Sequence, residues 1–188
     1  MVFGKSDCIL IPGNLDNYYY IIAQLVKQST MKKTKNKTVN VRKQLKIQLE
    51  NTITRYKNTK GFKPTKEQMY HWFRTLNRGL FNSRLPSVPL RVRKLHKDWG
   101  RCVANWDNRK TPKGKFDQRV IPYHIDVDFY IELHCKFPTW KDFVETLAHE
   151  MVHLYQMTWL KDPYSNHNKN FFAWKNKFKF AGLDLSRC

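Results

Sequence analysis

The chain is poor in acid, in closely spaced cysteines and in long apolar runs. Its 188 residues hold 15 Asp and Glu against 35 Lys and Arg, a formal net charge of +20 with a pI near 9.9. So large an imbalance predicts attraction to a polyanion, nucleic acid first, with strong salt dependence. An acidic protein or an anionic membrane surface is the lesser alternative. The four cysteines, Cys8, Cys102, Cys135 and Cys188, form no C-x-x-C pair. That excludes a zinc knuckle and a disulfide framework and fits a reducing compartment. The N-terminus has no charged n-region followed by an uninterrupted apolar core, so it does not read as a signal peptide. The longest apolar run, Tyr18 to Val26, is broken by Gln24 and is too short to span a bilayer. The expectation is an intracellular monomer, cytoplasmic or associated with nucleic acid, with no membrane partner. The length allows one domain plus appendages.

Against these absences stands one dense stretch, Thr146-Leu147-Ala148-His149-Glu150-Met151-Val152-His153-Leu154-Tyr155. It carries His149-Glu150-x-x-His153. In an α-helix, residues four apart lie one above the other on the same face, so two imidazoles can reach one metal ion. Glu150 sits about 100° round from His149, beside the ion, where it can take a proton from a water the ion activates. The helical context is legible. Trp140, Phe143, Val144, Leu147, Met151 and Leu154 recur at three- and four-residue steps and cluster opposite the histidines. Asp142, Thr146 and Gln156 share the histidine side. Pro138-Thr139 marks the start, with Thr139 as N-cap.

Two histidines leave a catalytic zinc one protein ligand short. Six residues after His153, where one zincin group places a third His, stands Trp159. No Glu follows Glu150, which excludes a later Glu ligand. His167, Asp162 and Asp184 remain. His167 follows the turn-rich run Asp162-Pro163-Tyr164-Ser165-Asn166, which can end the helix and swing the chain back. Asp162 is the second choice, as a ligand or as an outer carboxylate holding a histidine ring.

The run His149-Glu150-Met151-Val152-His153-Leu154-Tyr155, then His167 and Phe171, resembles the SprT-like (Spartan-type) zinc metalloproteases. Leu80-Phe81-Asn82-Ser83-Arg84-Leu85-Pro86 is similar to the family's entry segment, and Gly100-Arg101-Cys102 to the start of its strand beside the site. The resemblance covers about residues 65–181. It implies His167 as third ligand, one Zn²⁺ ion and a peptidase reaction with Glu150 as proton carrier. The sequence departs from the family where Asn168 replaces the usual Gly after the third His, and in lacking the C-terminal four-cysteine zinc ribbon of some bacterial members.

Elsewhere the chain divides by composition. Residues 1–30 form a segment of their own: a short strand at Cys8-Ile9-Leu10-Ile11, then a helix over Tyr18 to Val26 capped by Asp16. Its Tyr18, Tyr19 and Tyr20 are expected to pack against the main domain. Residues 31–64 hold eleven Lys or Arg against one acid, Glu50. Met31 to Asn40, with Lys32, Lys33, Lys35 and Lys37, reads as unstructured. Val41, Leu45, Leu49, Ile53 and Tyr56 then step at helical spacing, with Arg42, Lys43, Lys46 and Lys57 on other faces. This basic helix, about 40–57, can lie along DNA phosphates or pack on the domain with an ordinary solvated face. The third division, 65–188, holds the catalytic domain.

Thr65 with Gln68 forms a capping box ahead of Met69, Trp72, Phe73, Leu76 and Leu80, the first core helix. Strands are expected at Val88 to Arg93, Arg101 to Trp106 and Tyr123 to Ile131, with a basic loop at Asp107 to Gly114. His71, His96, His124, Asp126 and His134 read as ordinary surface side chains. Phe171, Trp174 and Phe178 form the buried stripe of a last helix.

The expected fold is α+β: a small antiparallel sheet, a preceding helix and an HExxH helix, as in minimal zincins. The expected function is a zinc-dependent metalloendopeptidase acting on DNA-associated proteins. DNA is met through Lys32, Lys33, Lys35, Lys37, Arg42, Lys43 and Lys46. A substrate strand adds to the sheet edge near Arg101 to Trp106, and Tyr164, before Tyr155, is the candidate oxyanion donor. The alternatives are a non-catalytic nucleic-acid-binding protein on a zincin scaffold and a metal-dependent hydrolase of nucleic acid.

Overall fold

A computed structural model describes residues 15–107, 126–162 and 166–185, with the backbone alone described at 15–22, 25, 29–30 and 32–38 of the first helix. The strand expected at Cys8 to Ile11, His124, Tyr164, most of the 107–114 loop and the side chains of Lys32, Lys33, Lys35 and Lys37 lie outside that description.

Among the described residues eight elements follow in order: α1 (Leu15–Tyr56), α2 (Lys66–Leu80), β1 (Leu90–Arg93), β2 (Gly100–Asn105), β3 (Asp128–His134), α3 (Trp140–Thr158), α4 (Lys169–Phe172) and α5 (Lys175–Ala181). The chain divides into two compact units, Met1–Lys37 and Thr38–Cys188, and every element of the site lies in the second. Met31 to Asn40 is helical, which corrects the reading of that stretch as unstructured. No Gly or Pro occurs between Leu15 and Tyr56, so nothing in the backbone stops the helix even where its side chains are polar. Asp16 lies inside its first turn and is not its cap.

Leu45 and Leu49 anchor α1 in the core, while Lys43 and Lys46 stay exposed. The approach to α2 is close enough to require a glycine. A Cβ on Gly79 would sit 2.5 Å from Leu45 Cδ2. Farther along, Tyr56 stacks on Trp140, with ring centroids 6.1 Å apart. The capping box of α2 is present: Thr65 Oγ1 accepts from Gln68 N, and Gln68 Oε1 accepts from Thr65 N. Its apolar stripe, Met69, Trp72, Phe73, Leu76 and Leu80, is buried. The segment after α2 is pinned from inside the helix. Asn77 donates through Nδ2 to Leu85 O and accepts from Leu85 N, at 3.0 and 3.1 Å. The Tyr70 hydroxyl accepts from Leu90 N and so ties α2 to β1.

The sheet is mixed, not antiparallel as expected. Its order is β1-β3-β2, with β1 parallel and β2 antiparallel to β3. β1 and β2 are consecutive in sequence, but β3 lies between them, so the short 94–99 connection is no hairpin. The third strand begins at Asp128, later than expected, and Asp126 is exposed ahead of it. The register aligns Arg91, Glu132 and Arg101 in one row on one face and Ile131 and Cys102 in the next row on the other. α3 packs against this second face, and the core of Leu133, Ile131, Leu147, Val144 and Met151 lies between them. The fold is α+β. No described helix is long and apolar enough to cross a membrane.

Candidate metal centre

The centre is built on α3, whose start is fixed twice. Thr139 Oγ1 accepts from Asp142 N at 3.2 Å, and Asp142 Oδ2 accepts from Thr139 N at 2.9 Å. The cap satisfies N–H groups that the first turn leaves without helical partners. The face of Trp140, Phe143, Val144, Leu147, Met151 and Leu154 is sealed in the core, each residue 0–1 % exposed. Burying that stripe sets the rotation of the helix and turns His149 and His153 away from the core.

His167, 14 positions beyond His153, returns to complete a triangle. The ring centroids are 4.9 Å apart for His149–His153 and His149–His167, and 5.0 Å for His153–His167. The Nε2 atom of His149 lies 3.2 Å from that of His153 and 2.9 Å from that of His167. Three nitrogens bound tetrahedrally to zinc at 2.0–2.1 Å stand about 3.3 Å from one another. The spacing and the all-imidazole donor set therefore fit a single divalent cation of the zinc type. Phe171 forms the floor. Its ring lies 4.7, 4.8 and 4.5 Å from those of His149, His153 and His167.

The orientation of His153 is set by a buried polar network. His153 Nδ1 is 3.0 Å from Gln156 Oε1. Gln156 is fully buried, and its Nε2 faces acceptors only: Asp162 Oδ2 at 3.3 Å, Asn166 O at 3.0 Å and Asn168 Oδ1 at 3.2 Å. With the amide nitrogen committed there, the amide oxygen must face the ring. Nδ1 then carries the proton, and Nε2 presents its lone pair to the centre. Asp162 anchors the network by also accepting from Asn168 Nδ2 at 2.6 Å and Asn170 Nδ2 at 3.3 Å. Asn168 also caps α4, its Oδ1 accepting from Asn170 N and Phe171 N. The residue that departs from the family's usual Gly thus ties the third histidine's loop to the helix carrying Phe171.

Glu150 lies on the opposite flank, under β2. It is 3 % exposed, and burial pushes its carboxyl up to about 8. The Cys102 backbone N–H, donating to it, opposes the shift, and the negative charge of Asp98 reinforces it. Gly100 lets the strand come this close. A Cβ there would stand 2.7 Å from Thr146 Cγ2 and 3.0 Å from Glu150 Cγ. Burial also holds the Cys102 thiol well above its ordinary range, with Glu150 adding to the effect, which marks it as an inert thiol.

Asp184 pairs with Lys141 at 3.1 Å and stands outside the triangle. Asp162 sits in the supporting network and not among the three imidazoles. Trp159 is exposed beneath the Arg84 guanidinium, while Tyr155 packs on Phe81 and Trp174. His134 Nδ1 is engaged by the Lys136 backbone, and His71 and His96 are exposed. One contributor's role escapes a reading of the sequence: Gln156 is visible as a polar residue on the histidine face, yet its partners lie beyond a turn. Outside the centre, Glu132, buried among arginines on the far face of the sheet, carries no motif at all.

A capped helix bearing HExxH, a third imidazole returned by a loop and a small sheet alongside define a zincin-like domain of the metallopeptidase type. The SprT-like family model matches residues 69–188, and the chain belongs to that family. No curated protein matches the chain.

Proposed function

We propose that this protein is a zinc-dependent endopeptidase that cleaves proteins bound to DNA. The observation that carries the reading is the triangle of His149, His153 and His167 with Glu150 beside it. His149, His153 and His167, whose Nε2 atoms converge, would hold the ion, with His153 fixed in the required tautomer by Gln156. A zinc ion bound there supplies Lewis acidity, polarising a peptide carbonyl and easing deprotonation of water. Glu150 receives the water proton and later delivers it to the departing amine. Beside a bound cation the buried Glu150 carboxyl would be drawn down from its metal-free range, leaving it ionised to take the first proton and buried enough to pass it on. β2 has one partner, β3, among the described residues, and its other side is where an extended substrate segment adds.

The basic charge supplies the location. Lys43 and Lys46 project from α1, Arg42 lies half-buried beside them, and Lys32, Lys33, Lys35 and Lys37 precede them in the same helix. Recruitment to DNA raises the local concentration of protein already bound there, so a site of low sequence preference suffices. The test is incubation with a DNA-binding protein, with and without DNA, over a range of salt. Cleavage is expected to need metal, to rise with DNA and to fall with salt. Cleavage of labelled DNA, with none of the protein, would replace this reading with nucleic-acid hydrolysis.

A further inference from the structure

The face of the sheet turned away from α3 carries a second arrangement that the reaction does not use. Arg91 and Arg93 from β1 and Arg101 from β2 surround Glu132 of β3, whose side chain is 4 % exposed. Arg101 takes most of that carboxylate, with Nε 2.7 Å and a terminal nitrogen 2.6 Å from Oε2. Arg93 and Arg91 stand 3.6 and 4.0 Å from Oε1, beyond hydrogen-bond length. Among the described residues one negative charge thus serves three guanidiniums, and the donors of two remain largely uncommitted there, on side chains 44 % and 62 % exposed. The Arg91 guanidinium carbon also stands over the Tyr130 ring, 4.0 Å from its centroid. The buried carboxylate holds three like charges side by side on a rigid sheet, so ordering them costs little when an anion arrives.

An aromatic platform adjoins the row. Trp99 is 42 % exposed and meets His134 edge-on at 5.3 Å, and His134 is the register partner of Arg93. Arg91 and Arg93 are two residues apart on one strand, a spacing of about 6.6 Å. A repeating anion with a flat ring at each repeat matches both features. A duplex hides its rings in the stack and would use only the charges. An acidic polypeptide would likewise leave Trp99 without a role.

We propose that the outer face of the sheet is a docking surface for single-stranded nucleic acid, its phosphates on Arg91 and Arg93 and a base against Trp99. This rests on the reading that nucleic acid recruits the enzyme, and it locates a contact on the catalytic domain itself, separate from the lysines of α1.

The test is anisotropy of labelled oligo(dT) and of a duplex of equal length, titrated with the full chain at several salt concentrations. R91A/R93A keeps the Arg101–Glu132 pair. It is expected to bind oligo(dT) about tenfold more weakly, with a log–log salt slope shallower by about 1.4, two contacts at roughly 0.7 each. Trp99→Leu is expected to lose about fivefold or more on oligo(dT) at unchanged slope, and nothing on the duplex. If the alanine pair fails to fold, R91Q/R93Q removes the charge at similar side-chain length. Unchanged affinity and slope in the arginine variant, with binding lost in K43A/K46A, would overturn this surface and leave recruitment through α1 standing. A wild type that binds no nucleic acid would remove both. Displacement of oligo(dT) by polyglutamate at equal charge, with Trp99→Leu silent, would reassign the face to an acidic protein.

Discussion

Glu132 and Glu150 are equally buried, each 3 % exposed, and lie on opposite faces of one small sheet. Glu132 is ringed by three guanidiniums. Glu150 has no cation among its perturbing neighbours, only a backbone N–H and the unfavourable charge of Asp98. The same side chain at the same depth therefore meets two different environments. Where guanidiniums surround it, the side chain holds an arginine row in place. Where burial meets no guanidinium, the carboxyl of the metal-free chain is pushed up to about 8, the property the proposed proton transfer would draw on. The surroundings assign the role, and the two can be tested against each other.

The largest expected effect is on chemistry. Glu150→Gln keeps shape and removes proton transfer, so peptide cleavage should fall by about 10³ or more while bound metal, read by elemental analysis, stays at one ion. An equal loss in Glu132→Gln would break the contrast. Next comes the pH dependence of the metal-free protein. Glu150 holds a proton in the folded chain at pH values where the unfolded chain, near 4.5, has released it. Stability is therefore greatest below that lower value and declines as pH rises toward about 8. Thermal melts from pH 5 to 8.5 should show a fall of roughly 5–10 °C attributable to this group, absent in Glu150→Gln. Third, Glu132→Gln at pH 7 leaves three guanidiniums without their counter-charge. Discounted for the exposure of the arginines, the midpoint should drop by roughly 5 °C, and added salt should recover part of it.

The smallest effect involves a third buried acid, Asp162, which acts through Gln156 on His153. Gln156→Ala frees the ring tautomer and should weaken metal binding by about ten- to hundredfold, measured against a chromophoric chelator. Gln156→Glu should recover little of the loss, since its second oxygen would face the acceptors of Asp162, Asn166 and Asn168 that the amide nitrogen serves. Unchanged metal affinity in Gln156→Ala, with unchanged folding, would show that the amide matters for packing alone.

What can be read from the sequence follows the range of each interaction. The capping residues Thr65, Gln68 and Thr139 and the apolar stripe of α3 act within a turn or two, and periodicity exposes them. His167 is legible as the best of three downstream candidates because a turn-rich run can bring it back. The parallel pairing of β1 with β3 is not legible, since alternation reports faces and carries no strand direction. Helix through 31–40 is hidden by polar composition, which outweighs the absence of any Gly or Pro unless that absence is given its due. Glu132 is invisible for the same reason as the strand order: its three partners come from strands joined only by the register.

Phe171 leaves a mechanical mark on this centre. A single hydrocarbon disc touches every one of the three imidazoles. No imidazole can swing aside without disturbing the surface its two companions rest on. Capture and escape of an ion there would then be all-or-none events, and half-assembled states holding it by two rings should be too sparse to appear as a separate kinetic phase.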